Sequence, residues 1–354
     1  MGKKPSPDRK AEAAPRARRK SARSGGVGVT LKSVAEMAGV APATVSRAIN
    51  RPDLVAADTR ERINRVIEQT GYLPNLLAGG LASSRSRLFA AIVPSIANLV
   101  YAETIQSFTR RIREKGYQVL LGEASYDENA EENVVSAVLG RRPDGVVLLG
   151  INHTIGCRRK LLAAKIPVAE IWDITPTPLD TVVGYSHEKI GTAVADYLYD
   201  RGYRNFAAIA GEDVRAVKRT HAFENRLARR GVSPVMTGFV PPGSSLQFGR
   251  RRLAVLLDQG FRNGAVFCSS DTLALGVLTE AHARGLSVPG EIAVVGFCDQ
   301  DFAAFTHPAL TSVKVDRALM GSLAADALLA RTEGIPFEGN VVDIGFTIVT
   351  RETA

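Results

Sequence analysis

The segment Val29–Asn50, VTLKSVAEMAGVAPATVSRAIN, constrains the fold of this 354-residue chain more than any other stretch. Thr30 is a favourable N-cap, and apolar residues then repeat along one helical face. These residues are Leu31, Val34, Ala35 and Ala38. Gly39 permits the left-handed turn that reverses the chain, and Pro42 suits the first turn of a second helix. The sequence therefore predicts a helix over about 31–38, a tight turn and a second helix.

A third helix is predicted after this pair. Asp58 and Glu61 have the spacing of a capping box, and apolar residues at helical spacing precede Gly71. These apolar residues are Ile63, Val66 and Ile67. Three such helices form a core only by packing together, which is typical of a helix-turn-helix domain that reads DNA. A three-helix cap without a ligand would show the same apolar pattern, so both interpretations stay open at this point.

The net charge of +9 is concentrated at the start of the chain. Residues 1–28 contain nine Lys and Arg against two Asp and Glu (+7), and residues 29–85 contain seven against five (+2). Residues 86–354 contain 29 of each and are neutral. A basic tail rich in Ala, Pro, Arg and Ser is too polar to fold alone. We expect residues 1–28 to be disordered, and either to attract DNA phosphates or only to aid solubility.

Other patterns exclude several classes of protein. No stretch approaches 18 consecutive apolar residues and no apolar signal core is present, so we expect a cytoplasmic protein with no membrane partner. Three widely spaced cysteines, Cys157, Cys268 and Cys298, fit unpaired thiols in a reducing compartment. The five histidines show no metalloprotease spacing, and no nucleophile elbow or phosphate-binding glycine loop occurs. We expect neither an enzyme nor a bound cofactor or metal.

From Leu88 onward, β-branched runs alternate with amphipathic segments. The predicted strands are Phe89–Val93, Gln118–Leu121, Gly145–Leu149, Val168–Ile171, Phe206–Ala210, Ala265–Cys268 and Ile292–Phe297. The predicted helices lie near 101–115, 130–140, 188–201, 219–230, 246–258 and 271–284. This alternation predicts two parallel sheets with helices on both faces. Ligands of such sheets bind beyond the carboxyl ends of the strands.

The head, the following linker and this alternation together resemble the lactose/galactose/purine repressor (LacI/GalR) family over residues 29–354. The matching motifs are Leu31 with VAEMAGV, Thr44–Arg47 with Asn50, Thr70–Asn75, Ala78 with Leu81, Phe267–Asp271, Ala274–Gly276 and Val288–Phe297. Within that family the chain is similar to gluconate-utilisation repressors. That narrower resemblance lies in Pro94–Ser95, Asn98, Ala102–Glu103, Val168–Asp173 and Asp343–Phe346.

The resemblance implies an α/β fold in three parts. A three-helix helix-turn-helix domain (29–74) is followed by a hinge (75–87) and a two-lobed, periplasmic-binding-protein-like core of two doubly wound parallel sheets (88–354). The lobes implied are about 88–185 with 313–343, and about 186–312 with 344–354. Gly79 and Gly80 would disfavour a hinge helix by about 2 kcal/mol relative to Ala, so we expect that helix only when something holds it.

The resemblance also implies a homodimer on double-stranded, pseudo-palindromic operator DNA, with one recognition helix in each major groove. Arg47 would read guanine or clamp phosphate, and Leu81 would wedge into the minor groove and kink the duplex. The residues placed on DNA are Thr30, Pro42, Ala43, Thr44, Ser46, Arg47, Asn50, Asn75, Ala78 and Leu81. The last residues, Thr350–Ala354, form no leucine heptad, so we expect dimers and not tetramers.

For a small-molecule effector the resemblance implies Ser95, Asp173, Arg219, Ser270, Asp271 and Cys298. Cys298 stands where family members that bind neutral sugars usually have Asp, and Ser244 where they often have a stacking aromatic. Loss of a carboxylate lowers repulsion toward an anion, while Arg219 can pair with one. We expect a repressor of a sugar or sugar-acid operon controlled by gluconate or a ketogluconate. A regulator that responds to a neutral sugar or nucleobase, and a sugar receptor without DNA function, are the alternatives.

The wedge leads to a first prediction. Leu81→Ala should weaken specific operator binding, because the apolar side chain that offsets the cost of unstacking is lost. Fluorescence anisotropy with labelled operator measures this affinity, and calorimetry should show unchanged effector binding. Equal operator affinity for variant and wild type would count against the wedge.

Overall fold

The computed structural model describes residues 29–73, 85–232, 234–337 and 339–354, which fall into an N-terminal and a C-terminal compact unit. The basic segment and the predicted DNA contacts Asn75, Ala78 and Leu81 lie outside the described residues. None of the described helices is long and apolar enough to span a membrane.

The N-terminal unit is a bundle of three helices. These are α1 (Leu31–Ala38), α2 (Pro42–Asn50) and α3 (Ala57–Thr70). The Thr30 hydroxyl accepts the backbone N–H of Ser33, and the Ser33 hydroxyl accepts that of Thr30. Gly39 ends α1 in the left-handed region, with a φ of 63°. The buried core is Val34, Ala35, Ala38, Val45, Ala48, Ile63 and Tyr72. The predicted helix, turn and second helix are confirmed.

The start of α3 corrects the prediction. The helix begins at Ala57, two residues before the position that an Asp58 cap would require, and its N-cap Ala56 makes no side-chain hydrogen bond. The short turn Pro52–Leu54 lies just before the helix, so the helix begins earlier in the chain than predicted. Asp58 therefore lies in the first turn, where its charge is favourable to the helix dipole. The predicted capping box with Glu61 is wrong.

The C-terminal unit contains two six-stranded sheets. Its strands are β1 (Leu88–Val93), β2 (Gln118–Glu123), β3 (Gly145–Leu149), β4 (Val168–Ile171), β5 (Thr181–Gly184), β6 (Phe206–Gly211), β7 (Met236–Val240), β8 (Gly264–Cys268), β9 (Ile292–Phe297), β10 (Thr311–Lys314), β11 (Val341–Asp343) and β12 (Thr347–Val349). The first sheet has the order β11-β5-β4-β3-β1-β2, and the second β12-β10-β9-β8-β6-β7. Every pair is parallel except β10 with β12. The predicted α/β class with two doubly wound sheets is confirmed.

Helices cover both sheets. They are α4 (Ala102–Glu114), α5 (Glu128–Leu139), α6 (Ile155–Ala164), α7 (His187–Asp200), α8 (Val214–Arg229), α9 (Leu246–Asp258), α10 (Asp271–Ala283) and α11 (Arg317–Glu333). The sequence patterns missed α6 and α11. In α11 the apolar residues spread around the helix, because it packs against both α4 and the first sheet. We call the part built on the first sheet the first lobe, and the part built on the second sheet the second lobe.

The contact between α7 and α8 positions the helix that carries Arg219. A methyl group on Gly191 of α7 would collide with the backbone carbonyl oxygen of Arg219 and with the side chain of Ala222. The two helices can therefore approach this closely only with glycine at 191.

Gly191→Ala should lower the free energy of unfolding by about 1–3 kcal/mol, because the extra methyl overpacks this contact. Chemical denaturation measures the change. Gly140→Ala is the matched control, since its new Cβ would lie 3.4 Å from the carbonyl oxygen of Ala137, which is an ordinary van der Waals contact. Equal loss of stability in both variants would contradict the packing argument.

Candidate effector cleft and nucleic-acid interface

The second helix of the head presents a small, polar face. Pro42, Ala43, Arg47 and Asn50 are exposed, while Thr44 and Ser46 are half-exposed. Asn50 Nδ2 donates to the carbonyl oxygen of Ser46 at 2.8 Å. The guanidinium of Arg47 makes no hydrogen bond or ion pair with the other described residues. A helix with small side chains and one free guanidinium can lie close to base edges in a major groove.

Two adjoining cavities lie between the lobes, at the carboxyl ends of the strands. The first has a volume of about 40 Å³, space for no more than a few water molecules. Its polar and aromatic lining includes Tyr101, Trp172, His187, Arg215, Arg219, Ser244, Ser269, Ser270 and Phe297. The second, of about 160 Å³, shares Asp213 and Arg215 with the first. Its acidic lining also includes Asp127, Glu128, Glu131 and Glu212.

Arg219 is a buried cation in the first cavity, with 4 % of its surface exposed. Its Nη1 donates to Nδ1 of His187 at 2.8 Å, and its Nη2 donates to the carbonyl oxygen of Ser269 at 3.0 Å. The guanidinium carbon lies 3.8 Å from the centre of the Phe297 ring. Nε has no hydrogen-bond partner, and no carboxylate of the described chain lies within ion-pair distance. Burial lowers the pKa of Arg219, because the charged form is desolvated.

Arg215 lies one helical turn before Arg219, so both side chains share one face of α8. Its Nη2 donates to the hydroxyl of Tyr101 at 2.9 Å, which joins the second lobe to the first. Its Nε lies 3.8 Å from the Asp213 carboxylate, and its Nη1 has no hydrogen-bond partner. Arg215 was not predicted from the sequence, although its spacing to Arg219 was a usable signal. Each of these two arginines lines the first cavity and leaves one buried nitrogen without a hydrogen-bond partner.

His187 fixes the position of Arg219. Its Nε2 lies 2.8 Å from the carbonyl oxygen of Trp172 and must donate to it, so Nδ1 is left to accept from Arg219. Burial lowers the pKa of His187 well below its ordinary value, and the charges of Arg219, Arg215 and Lys218 lower it further. The imidazole is therefore neutral in the folded protein.

The strand ends of the second lobe hold three predicted effector residues in different environments. Ser270 lines the first cavity, and its hydroxyl accepts the N–H of Leu273 to cap α10. Asp271 is buried and lines neither cavity; it accepts the N–H of Gln300 and the hydroxyl of Ser312, each at 2.6 Å. Burial raises the pKa of Asp271 to about 7. Cys298 is also buried and does not line the first cavity.

The first lobe places two further predicted residues away from the two cavities. Asp173 is buried behind the lining, with its carboxylate 3.4 Å from Nζ of Lys218, and burial raises its pKa. Ser95 lines a separate groove of about 640 Å³ beside α4. Asp299, which follows Cys298, pairs with Arg351 at 2.7 Å and lines neither cavity. The structure thus brings Arg219 and Ser270 together and leaves Ser95, Asp173, Asp271 and Cys298 outside the cleft lining.

A three-helix head with a DNA-reading face, combined with a two-lobed core that encloses a polar cleft, defines a ligand-responsive DNA-binding regulator. The profile "Bacterial regulatory proteins, lacI family" matches residues 30–75, and "Periplasmic binding protein-like domain" matches residues 195–354. The chain is 35 % identical over 326 residues to the HTH-type transcriptional regulator GntR of Pseudomonas aeruginosa, covering 92 % of this chain and 95 % of that protein.

Solved structures agree with these matches. A lacI-family transcriptional regulator from Silicibacter pomeroyi superposes with a TM-score of 0.86 at 31 % identity, covering 92 % of this chain and 99 % of that one. The lac repressor dimer bound to operator and the anti-inducer ONPF superposes with a TM-score of 0.78 at 26 % identity, covering 92 % and 98 %. The chain belongs to the lacI family and is a DNA-binding transcriptional repressor. Its relatives are regulators and not enzymes, as the sequence predicted.

The neutral His187 makes stability depend on pH. Below about pH 6.5 the unfolded chain protonates this imidazole while the folded protein does not, so the unfolded state binds more protons and stability falls as the pH falls. Between pH 7 and pH 5.5 the free energy of unfolding should fall by about 1 kcal/mol less in His187→Gln than in the wild type. Denaturation at the two pH values measures it.

His221→Gln, which changes an exposed histidine on α8, is the control and should keep the wild-type pH dependence. If His187→Gln shows the same pH dependence as wild type, His187 is protonated in the folded state and the assigned hydrogen bonds are incorrect.

Proposed function

We propose that the effector of this repressor is a sugar acid, gluconate or a ketogluconate, whose carboxylate binds between Arg219 and Arg215. The observation that carries the proposal is the buried Arg219 guanidinium, which has a free Nε–H and no carboxylate within ion-pair distance in the described chain. An unpaired buried charge costs several kcal/mol, and a carboxylate can accept two parallel N–H bonds from a guanidinium. A neutral sugar would leave that charge uncompensated.

The second cavity supplies the complementary half of the site. Its carboxylates can accept hydrogen bonds from hydroxyl groups, while Arg215 stands at the junction of the two cavities. A ligand with an acid at one end and hydroxyls along its length matches this polarity. A neutral sugar confined to the acidic cavity is the alternative that this lining favours.

Effector binding would act through the contact between the lobes. The first cavity is too small for a six-carbon acid, so binding requires the lobes or the Arg215 side chain to move. A carboxylate bound at Nη1 of Arg215 would shift the guanidinium whose Nη2 donates to Tyr101 of the first lobe. We propose that this shift in lobe positions, in a homodimer, separates the two hinges and releases the operator. The effector can shift this equilibrium only by its different affinities for the two states.

On the DNA side we propose that Pro42, Ala43, Ser46 and Arg47 face bases or nearby phosphates. Thr30, Thr44 and Asn50 would contact mainly the backbone. Asn75, Ala78 and Leu81 are proposed on sequence grounds alone. Specificity then depends strongly on Arg47 and on the spacing of two heads, because most of the other side chains are small.

Calorimetry with D-gluconate, 2-ketogluconate, D-glucose and D-glucitol tests the effector. The acids should bind and the neutral compounds should not, although glucitol has the same six-carbon chain and differs from gluconate only by a hydroxymethyl group in place of the carboxylate. Tight binding of a neutral sugar, with no heat from any aldonate, would overturn the proposal.

Arg219→Ala should weaken aldonate binding by about 30-fold or more, which corresponds to a loss of at least about 2 kcal/mol from a charged hydrogen bond. Its operator complex should form normally in a gel shift but should no longer dissociate when aldonate is added. Lys218→Gln is the matched control on the same helix, because Lys218 pairs with Asp173 and Glu188 and lines neither cavity. Normal release by aldonate from Arg219→Ala would contradict this role.

A further inference from the structure

Four side chains with metal-ligating atoms converge in the first lobe. Glu131 is on α5, His153 follows β3, Cys157 is in the first turn of α6, and Glu170 is in β4. His153 Nδ1 lies 2.7 Å from Oε2 of Glu131, and Cys157 Sγ lies 3.9 Å from the same oxygen. These three ligand atoms all lie within 4.8 Å of one another.

The cluster is buried and incompletely paired. The side chains of His153 and Glu170 are 0 % exposed, and that of Glu131 is 13 % exposed. His153 Nε2 and Glu170 Oε1 lie 3.2 Å apart, yet neither atom has a hydrogen bond of good geometry. The other oxygen of Glu170 accepts the N–H of Leu179 at 2.7 Å. The neighbouring cation Lys160 pairs with Glu132, so it does not neutralise these two carboxylates.

We propose that this cluster binds Zn²⁺ through Cys157 Sγ, His153 Nδ1 and Glu131 Oε2. Thiolate, imidazole and carboxylate are the donors that zinc accepts, and bond lengths of about 2.0–2.3 Å place tetrahedral ligand atoms about 3.3–3.7 Å apart. The observed separations reach this geometry with small side-chain movements. Metal-bound histidines usually donate their other N–H to a carboxylate, and Glu170 lies at that position for Nε2.

The zinc ion would fasten α5, α6 and the loop after β3 to one another. Glu131 also lines the 160 Å³ cavity, so the fourth coordination position can be filled by a water from that side. This site contains neither Arg215 nor Arg219 and shares only Glu131 with the acidic cavity, so zinc binding is tested in the absence of any effector.

Metal titration of the full-length protein, prepared without an affinity tag and stripped with a chelator, tests the proposal. One equivalent of Zn²⁺ per chain should bind and raise the melting temperature. Co²⁺ in its place should give the sulfur-to-metal charge-transfer band and the visible bands of a tetrahedral thiolate site. If His153 is instead simply a protonated bridge between Glu131 and Glu170, no stoichiometric zinc and no charge-transfer band will be found, and the proposal fails.

Variants locate the ligands. Cys157→Ser should abolish the charge-transfer band, whereas Cys268→Ser, which changes another buried free cysteine, should retain it. Glu170→Gln should keep the band and weaken zinc affinity by about 10–100-fold, as expected for a residue that orients a ligand. A band that survives in Cys157→Ser overturns the assignment. If Cys157→Ser does not fold, the wild-type cobalt spectrum alone decides whether a thiolate site exists.

Discussion

The burial of the Arg219 guanidinium without a carboxylate partner is the constraint around which the ligand cleft is arranged. The close contact at Gly191 brings α7 against α8 and places His187 where it can accept from this arginine. The carbonyl oxygen of Ser269 and the face of Phe297 occupy two other sides. These neutral groups hold the cation in place but do not neutralise it, and this is the basis for proposing an anionic effector.

Arg215 connects the proposed effector site to the contact between the lobes. It lies on the same face of α8 as Arg219 and reaches across to Tyr101 of the first lobe. An anion that engages both arginines therefore acts on the contact between the lobes. In the proposed mechanism, the position of the lobes is what the effector changes to alter operator binding.

Much of the fold could be predicted from the sequence, because local signals agree with the tertiary structure. Gly39 and Pro42 fix the turn of the head, and β3 and β9 have the predicted bounds because each is a continuous apolar run. Strand β4 also has the predicted bounds, although Glu170 interrupts its apolar residues. The three-residue strands β11 and β12 were missed, since strands so short and partly exposed have no periodic signal. The start of α3 was misplaced because the turn before it, and not an acidic cap, sets where the helix begins.

The site was less predictable than the fold. Arg219 and Ser270 were placed in the cleft by resemblance, but Arg215 was not predicted as a site residue. Asp271 and Cys298 both come shortly after strands that end at the cleft. Asp271 accepts a hydrogen bond from the backbone of the neighbouring loop at Gln300. Cys298 is buried and does not line the cleft. The strand that a residue follows determines the edge of the sheet at which the residue lies. The direction of its side chain depends instead on the conformation of the loop, such as the positive φ of 97° at Cys298.

A crystal structure of the protein with D-gluconate would show where the carboxylate of the ligand binds. We expect this carboxylate within hydrogen-bond distance of Arg219 Nε and Arg215 Nη1, with the hydroxyls of the ligand toward the acidic cavity. A gluconate bound with its carboxylate away from both arginines, or a neutral sugar that fills the cleft and leaves both guanidinium groups unpaired, would contradict it.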